Sequence, residues 1–172
     1  EYEMVLFLRR YNFAKSVYIR YNPINNKILN KALGKKYKPI KKLIGNGKNI
    51  IISYGVCSEQ IFKILYNDIF LRNKFKLYNF SLVTGLTKTF LFNLSKKGNN
   101  LLVIEDHANK GSLSEKIKIL LYENKIKMNL VSKNLGNNYF QPKQTLNELF
   151  SNYDITKKYL ENLNFKQWIR LL

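Results

Sequence analysis

Short apolar runs alternate with amphipathic runs from Lys48 to the end of the chain, and this alternation restricts the fold more than any other feature. The short runs, which we predict to be strands, cover residues 49–54, 76–83, 101–104 and 128–131. Strands separated by helical stretches of about 10–15 residues are joined by crossovers, which build a largely parallel sheet with helices on its faces. The sequence therefore predicts an α/β fold, a three-layer domain with a mostly parallel sheet.

Residues that commonly cap helices stand before the amphipathic runs. Ser58 is predicted to cap the first helix. Ser112 and Glu115 have the spacing of a capping box, in which the two side chains satisfy backbone N–H groups at the helix start. A second box is predicted at residues 145–148, and Asp154 is predicted to cap the last helix.

A lysine- and asparagine-rich stretch at residues 22–47 contains prolines and glycines and is typical of a connection. Before it, residues 4–10 are predicted to end a helix and residues 17–21 to form a strand. We therefore expect residues 1–47 to be an entering arm and linker from a preceding domain, and residues 48–172 to form the α/β domain. Because the first methionine is not the first residue, we also expect the chain to be a segment of a longer polypeptide.

The chain is strongly basic, with a net charge of +19 from 30 lysines and arginines against 11 acids. Such an excess of positive charge is typical of proteins that bind nucleic acid. However, only five of the basic residues are arginine, the better side chain for phosphates and guanine edges. Lysine, asparagine, isoleucine and tyrosine all have A+T-rich codons, so a low-G+C genome accounts for the composition. Nucleic acid is therefore not the expected partner, and a basic RNA-binding α/β scaffold is the alternative.

A single cysteine and a single histidine limit the chemistry of the chain. Cys57 and His107 cannot form an internal disulfide or a Cys/His zinc site. Glu105 and Asp106 end a predicted strand, at the edge where open α/β sheets bind ligands, but adjacent strand residues point to opposite faces. His107 follows them and is the best acid–base candidate, against the alternative of a solvated loop histidine. No apolar run approaches the ~20 residues of a membrane span, so no membrane partner is expected.

Residues 45–48, Gly-Asn-Gly-Lys, invite comparison with a phosphate-binding loop. A P-loop follows a strand and leads into a helix, whereas this segment precedes a strand. Asn-Gly is itself a strong turn signal, so we interpret the segment as a turn.

Several segments, in order, resemble the C-terminal domain of transketolase-like thiamine-diphosphate enzymes. Residues 47–55, GKNIIISYG, resemble the opening strand of that domain, and residues 101–107, LLVIEDH, resemble its strand that ends in two acids. The deoxyxylulose-phosphate synthase branch is matched by VYIRY at 17–21, by NLGNNYFQP at 134–142 and by residues 145–155. Another thiamine enzyme of the superfamily, such as a 2-oxoacid dehydrogenase β subunit, is the alternative.

The resemblance implies an enzyme whose thiamine diphosphate and magnesium lie between the preceding domains, with none on this segment. It implies small-molecule substrates, pyruvate and glyceraldehyde 3-phosphate, and a homodimer in which this domain contacts the preceding domains of the same polypeptide. Arg20 matches an arginine of the branch motif and is the candidate substrate-binding residue, although Asn22-Pro23-Ile24 replaces the arginine that normally follows. The segment alone is expected to be inactive. The branch and the composition together indicate a plastid (apicoplast) enzyme, or a cytoplasmic one if the source is bacterial.

Overall fold

The computed structural model describes residues 36–81, 85–106, 110–134 and 155–165, together with positions 5, 7–9, 31–32, 34, 148 and 151. The strands are β1 (Ile40–Ile44), β2 (Asn49–Ser53), β3 (Phe75–Phe80), β4 (Asn100–Ile104) and β5 (Asn129–Lys133). The helices are α1 (Gly55–Asn67), α2 (Ile69–Lys74), α3 (Lys88–Ser95), α4 (Leu113–Glu123) and α5 (Lys157–Asn162).

The five strands form one sheet in the order β1-β3-β2-β4-β5. β2 pairs in parallel with β3 and with β4, and β4 pairs in parallel with β5. β1 lies at the edge and is antiparallel to β3. The predicted mostly parallel sheet is confirmed.

Helices cover both faces of this sheet, because consecutive strand residues point to opposite sides. Ile51 and Leu102 pack with α1, α2 and α5 on one side, which we call the α1 face. Ile52 and Val103 pack with α3 and α4 on the other side, which we call the α3 face. The predicted three-layer arrangement is confirmed, with one apolar core on each side of the sheet.

The connection predicted at residues 22–47 includes a strand, β1. Its residues run opposite β3, with Ile40 beside Phe80 and Lys42 beside Tyr78. The sheet therefore extends into the segment that we assigned to the linker, and the division of the chain at residue 47 stays a prediction. The strand predicted at 17–21 lies outside the described residues.

The prediction that Ser58 caps the first helix is wrong. α1 begins earlier, at Gly55, and Tyr54 at its N-cap position makes no side-chain capping bond. Gly55 has a φ of +58°, a left-handed conformation that suits glycine and lets the chain turn from β2 directly into the helix. Ser58 is consequently inside the helix and buried.

The capping box at the start of α4 is confirmed for the serine and shifted for the glutamate. The Ser112 hydroxyl accepts the N–H of Glu115 at 3.1 Å. The Glu115 carboxylate accepts the N–H of Gly111 at 2.7 Å, one residue before the expected position. Two backbone donors at the helix start are satisfied in this way.

The last described helix, α5, has a different cap from the predicted one. The hydroxyl of Thr156 accepts the N–H of Tyr159 at 3.2 Å. Asp154 and residues 145–147 lie outside the described residues. A threonine directly before the helix therefore fills the capping position.

Three asparagines align at the amino edge of the sheet, where the parallel strands begin. Asn100 donates to the side-chain oxygen of Asn49 at 2.8 Å, and Asn129 donates to that of Asn100 at 2.8 Å. Asn49 in turn donates to the backbone carbonyl of Lys74 at 3.1 Å. We call this row the asparagine ladder. It connects the first residues of β2, β4 and β5, which are direct partners in the sheet.

In the part of the chain that the structure describes, no helix is both long and apolar enough to cross a bilayer.

Candidate functional site

The order of the parallel strands reverses between β2 and β4, and we call the carboxyl edge of the sheet at this point the crevice. From β2 the chain crosses to β3 on one side and then returns to β4 on the other side. Open α/β sheets bind ligands at such a reversal of strand order, outside the carboxyl ends of the two strands. Tyr54 and Gly55 follow β2 at this point, and Glu105 and Asp106 follow β4. The predicted position of the two acids at the carboxyl edge is confirmed.

Glu105 is wholly buried, and its carboxylate is engaged by the first turn of α4. One carboxylate oxygen accepts the N–H of Leu113 at 2.8 Å and the other accepts the N–H of Ser114 at 3.0 Å. The Tyr54 hydroxyl lies 3.5 Å from the first of these oxygens. Unpaired N–H groups and the helix dipole make a helix N-terminus favourable for an anion, and here a residue of the sheet supplies it. Glu105 therefore ties β4 to α4.

Asp106 has a different environment. It is half-buried, and one carboxylate oxygen lies 4.0 Å from the point where a Cβ on Gly55 would stand. Glu105 thus faces α4, on the α3 face, whereas Asp106 lies beside α1. The two acids do not converge on one point, as the alternation of strand residues predicts.

Among the described residues, two serine hydroxyls near this crevice are buried without a hydrogen-bond partner. They belong to Ser53, the last residue of β2, and to Ser58, within α1. Cys57 lies between them in sequence and is also buried, in the apolar core of the α1 face. The sequence signal for both serines is weak: Ser53 is a small polar residue at the end of an apolar run, and Ser58 is one within the helix that follows.

The two residues proposed from sequence for chemistry and substrate contact, His107 and Arg20, lie outside the described residues. Both assignments stay predictions.

Within the described ranges, no three acidic, histidine or cysteine side chains come together in a way that could hold a metal ion. The carboxylate oxygens of Glu105 are already occupied by backbone N–H groups, so they do not offer a cofactor site either.

The glycine segment at residues 45–48 is a turn at the opposite, amino edge of the sheet. The N–H of Asn46 donates to the carbonyl of Arg72 at 3.1 Å, and that of Gly47 donates to the carbonyl of Phe75 at 3.2 Å. Gly45 has a φ of +85°, and a Cβ there would overlap the Phe75 carbonyl oxygen. The N–H groups that a phosphate would need are therefore engaged, and the turn interpretation is confirmed.

A shallow cavity of about 370 Å³ runs along the outer side of α4. Ile119 and Leu120 supply its apolar wall, and Ser112 and Glu115 lie at its end. Glu115 already accepts the Gly111 N–H, so the cavity offers mainly aliphatic surface. This surface is better suited to packing than to binding a polar ligand.

The fold matches a solved structure described as a split-gene transketolase, an inactive β4 tetramer. The TM-score is 0.58 at 13% sequence identity, and the match covers 73% of this chain and 40% of that chain. This chain therefore shares a transketolase-like fold while spanning less than half the length of the structure it matches. No protein-family model matches the sequence, and the search of curated proteins finds no match.

Proposed function

We propose that this chain is the C-terminal domain of a transketolase-like thiamine-diphosphate enzyme of the deoxyxylulose-phosphate synthase branch. The full enzyme would condense pyruvate with glyceraldehyde 3-phosphate and release carbon dioxide. The observation that carries the proposal is the fold shared with a transketolase over 73% of this chain. The motifs at 17–21, 134–142 and 145–155 favour the synthase branch.

In this proposal the domain supports the enzyme structurally. The polar groups at the crevice and at the glycine turn form internal hydrogen bonds. The Glu105 carboxylate accepts N–H groups of α4, and the N–H groups of the turn donate to backbone carbonyls. Thiamine diphosphate and magnesium are assigned to the preceding domains, and no step of the reaction is assigned to the described residues. Arg20 is proposed to contact substrate and His107 to remain available for proton transfer.

Exposed apolar side chains supply surfaces for the preceding domains and for a second subunit. Ile119 and Tyr122 are exposed on α4, and Tyr66, Ile69 and Phe70 are exposed where α1 meets α2. Exposed apolar side chains that form a patch are typical of interaction sites. We propose that these surfaces are covered in a homodimeric enzyme located in a plastid, or in the cytoplasm of a bacterium.

The first experiment measures the intact mass of the polypeptide that carries this segment in its native source. A product several times longer than 172 residues is expected. A mature product near 20.4 kDa would contradict the proposal, because the cofactor-binding domains would be missing.

The second experiment measures carbon dioxide release from pyruvate by the full-length polypeptide. Release is expected to require both thiamine diphosphate and glyceraldehyde 3-phosphate. Turnover with ketose-phosphate donors in place of pyruvate would identify a transketolase instead. Pyruvate oxidation that requires a lipoyl acceptor would identify a dehydrogenase β subunit.

A further inference from the structure

Three lysines lie near one another on the α3 face, near the amino edge of the sheet. Lys42 on β1 is the direct partner of Tyr78 on β3, so the two side chains share a face. Lys76 stands two positions before Tyr78 on β3 and therefore points to the same face. Lys97 follows α3, and its carbonyl oxygen accepts a hydrogen bond from Lys76 Nζ at 3.3 Å. We call Lys42, Lys76 and Lys97 the lysine cluster.

The described part of the chain places no compensating negative charge beside the lysine cluster. Within the described ranges none of the three ammonium groups forms an ion pair with a carboxylate, whereas Lys63 pairs with Glu59 at 2.8 Å. Lys42 donates instead to the neutral side-chain oxygen of Asn46 at 2.8 Å. Three like charges thus share one area, with only uncharged acceptors beside them.

The environment of Lys76 makes this arrangement unfavourable in the absence of an anion. Lys76 is half-buried, and burial lowers the pKa of its ammonium group below the usual value. The positive charges of Lys42 and Lys97 lower that pKa further. An anion held beside the three groups would offset the repulsion and raise the pKa of Lys76 again.

We propose that the lysine cluster is a binding site for a small, multiply charged phosphate compound. Lysine binds phosphate as a point charge with several N–H donors, and three lysines match the charge of a diphosphate group. A cluster of three lysines suits a small anion better than a nucleic-acid strand, which needs a basic groove that follows several nucleotides. The site lies at the opposite edge of the sheet from the crevice and does not depend on the proposed function.

Inorganic pyrophosphate is the probe, and calorimetric titration of the full chain at constant ionic strength is the measurement. Lys76→Met is expected to weaken pyrophosphate binding at least tenfold, and Lys42→Met and Lys97→Met several-fold each. Lys118→Met is the matched control, because Lys118 is exposed on α4 and its loss changes the net charge equally. The control is expected to change binding less than twofold.

Thermal unfolding, measured with and without pyrophosphate, separates a loss of binding from a folding defect. Without pyrophosphate, Lys76→Met is expected to match or exceed the stability of the natural chain, because it removes repulsion. With pyrophosphate, only the natural chain and Lys118→Met are expected to gain stability. Equal weakening by all four substitutions would overturn the proposal, since the net charge of +19 would then attract any anion. Tighter binding of an oligoribonucleotide, lost equally in all four variants, would also overturn it.

Discussion

The two edges of the parallel sheet are held by different chemistry. At the amino edge the asparagine ladder joins β2, β4 and β5 through neutral amides. At the carboxyl edge the charged side chain of Glu105 joins β4 to the first turn of α4. The ladder connects strand to strand and supports the register of the sheet, whereas Glu105 connects strand to helix and positions a helix on it.

A charged contact to a helix also exists at the amino edge, with the opposite sign. Lys74, at the end of α2, donates to the carbonyl of Leu160 at 3.0 Å and to that of Glu161 at 2.8 Å, near the end of α5. A cation at a helix C-terminus and an anion at a helix N-terminus both complement the helix dipole. The difference is burial, because Glu105 is wholly excluded from solvent and Lys74 is partly exposed. Burial, more than the sign of the charge, decides how much each contact contributes.

The largest expected effect follows from replacing Glu105. Glu105→Ala leaves the N–H groups of Leu113 and Ser114 buried without acceptors, and we expect a loss of about 3 kcal/mol in the free energy of unfolding. Glu105→Gln is expected to lose less free energy of unfolding than Glu105→Ala, because its amide oxygen still accepts a hydrogen bond. Urea unfolding measures the change, and Glu123→Gln on the exposed end of α4 is the control. A loss no greater than that of the control would show that Glu105 does not tie β4 to α4.

Replacing the middle of the asparagine ladder is expected to have a smaller effect. Asn100→Ala removes two side-chain hydrogen bonds and should lower the free energy of unfolding by about 2 kcal/mol. Asn129→Ala removes one, at the end of the row, and should lower it by about 1 kcal/mol. Because the two residues share a bond, the double variant should lose less than the sum of the single changes. Additive losses would contradict a connected ladder.

Lys74→Met tests the contact between α2 and α5. Loss of two hydrogen bonds from a partly exposed ammonium group should lower the free energy of unfolding by about 1 kcal/mol. Amide hydrogen exchange is expected to accelerate in α5 and to stay unchanged in α4. Equal acceleration in both helices would mean that the substitution acts on the whole fold and not on the α5 contact.

The smallest expected effect concerns Asp68, which caps α2 and pairs with Lys157 at 2.7 Å. The hydrogen bond from Lys157, followed by that from Leu71 N–H, lowers the pKa of Asp68 below its usual value of 3.8. A lowered carboxyl pKa contributes stability that is present above the usual pKa and is lost as the pH falls through the folded-state value. Asp68→Asn should therefore lower Tm slightly at neutral pH, and the difference from the natural chain should shrink below pH 3.8. A difference that stays constant over this range would show that the carboxylate charge contributes nothing.

Local sequence signals predicted much of the fold correctly. The strands at 49–54 and 101–104 are compact apolar runs, and compact runs of this kind are typical of strands buried on both faces. The start of α4 was predicted from Ser112, because a cap acts within one turn of its own helix. The prediction that Ser58 caps the first helix was wrong, because the chain turns at Gly55 and the helix begins there, although serine is a good capping residue.

The alternation of strands and helices, and with it the parallel sheet and its two apolar cores, follows from the sequence pattern, because the burial pattern of a short segment is a local property. The edge strand at residues 40–44 depends on tertiary contacts, since the partner of β1 is β3, far along the chain. Only the tertiary structure assigned Glu105 to a helix start and brought Lys42, Lys76 and Lys97 together. The edge strand, the Glu105 contact and the lysine cluster all depend on which strands are neighbours in the sheet. The packing of the whole domain sets that order, and no single segment does.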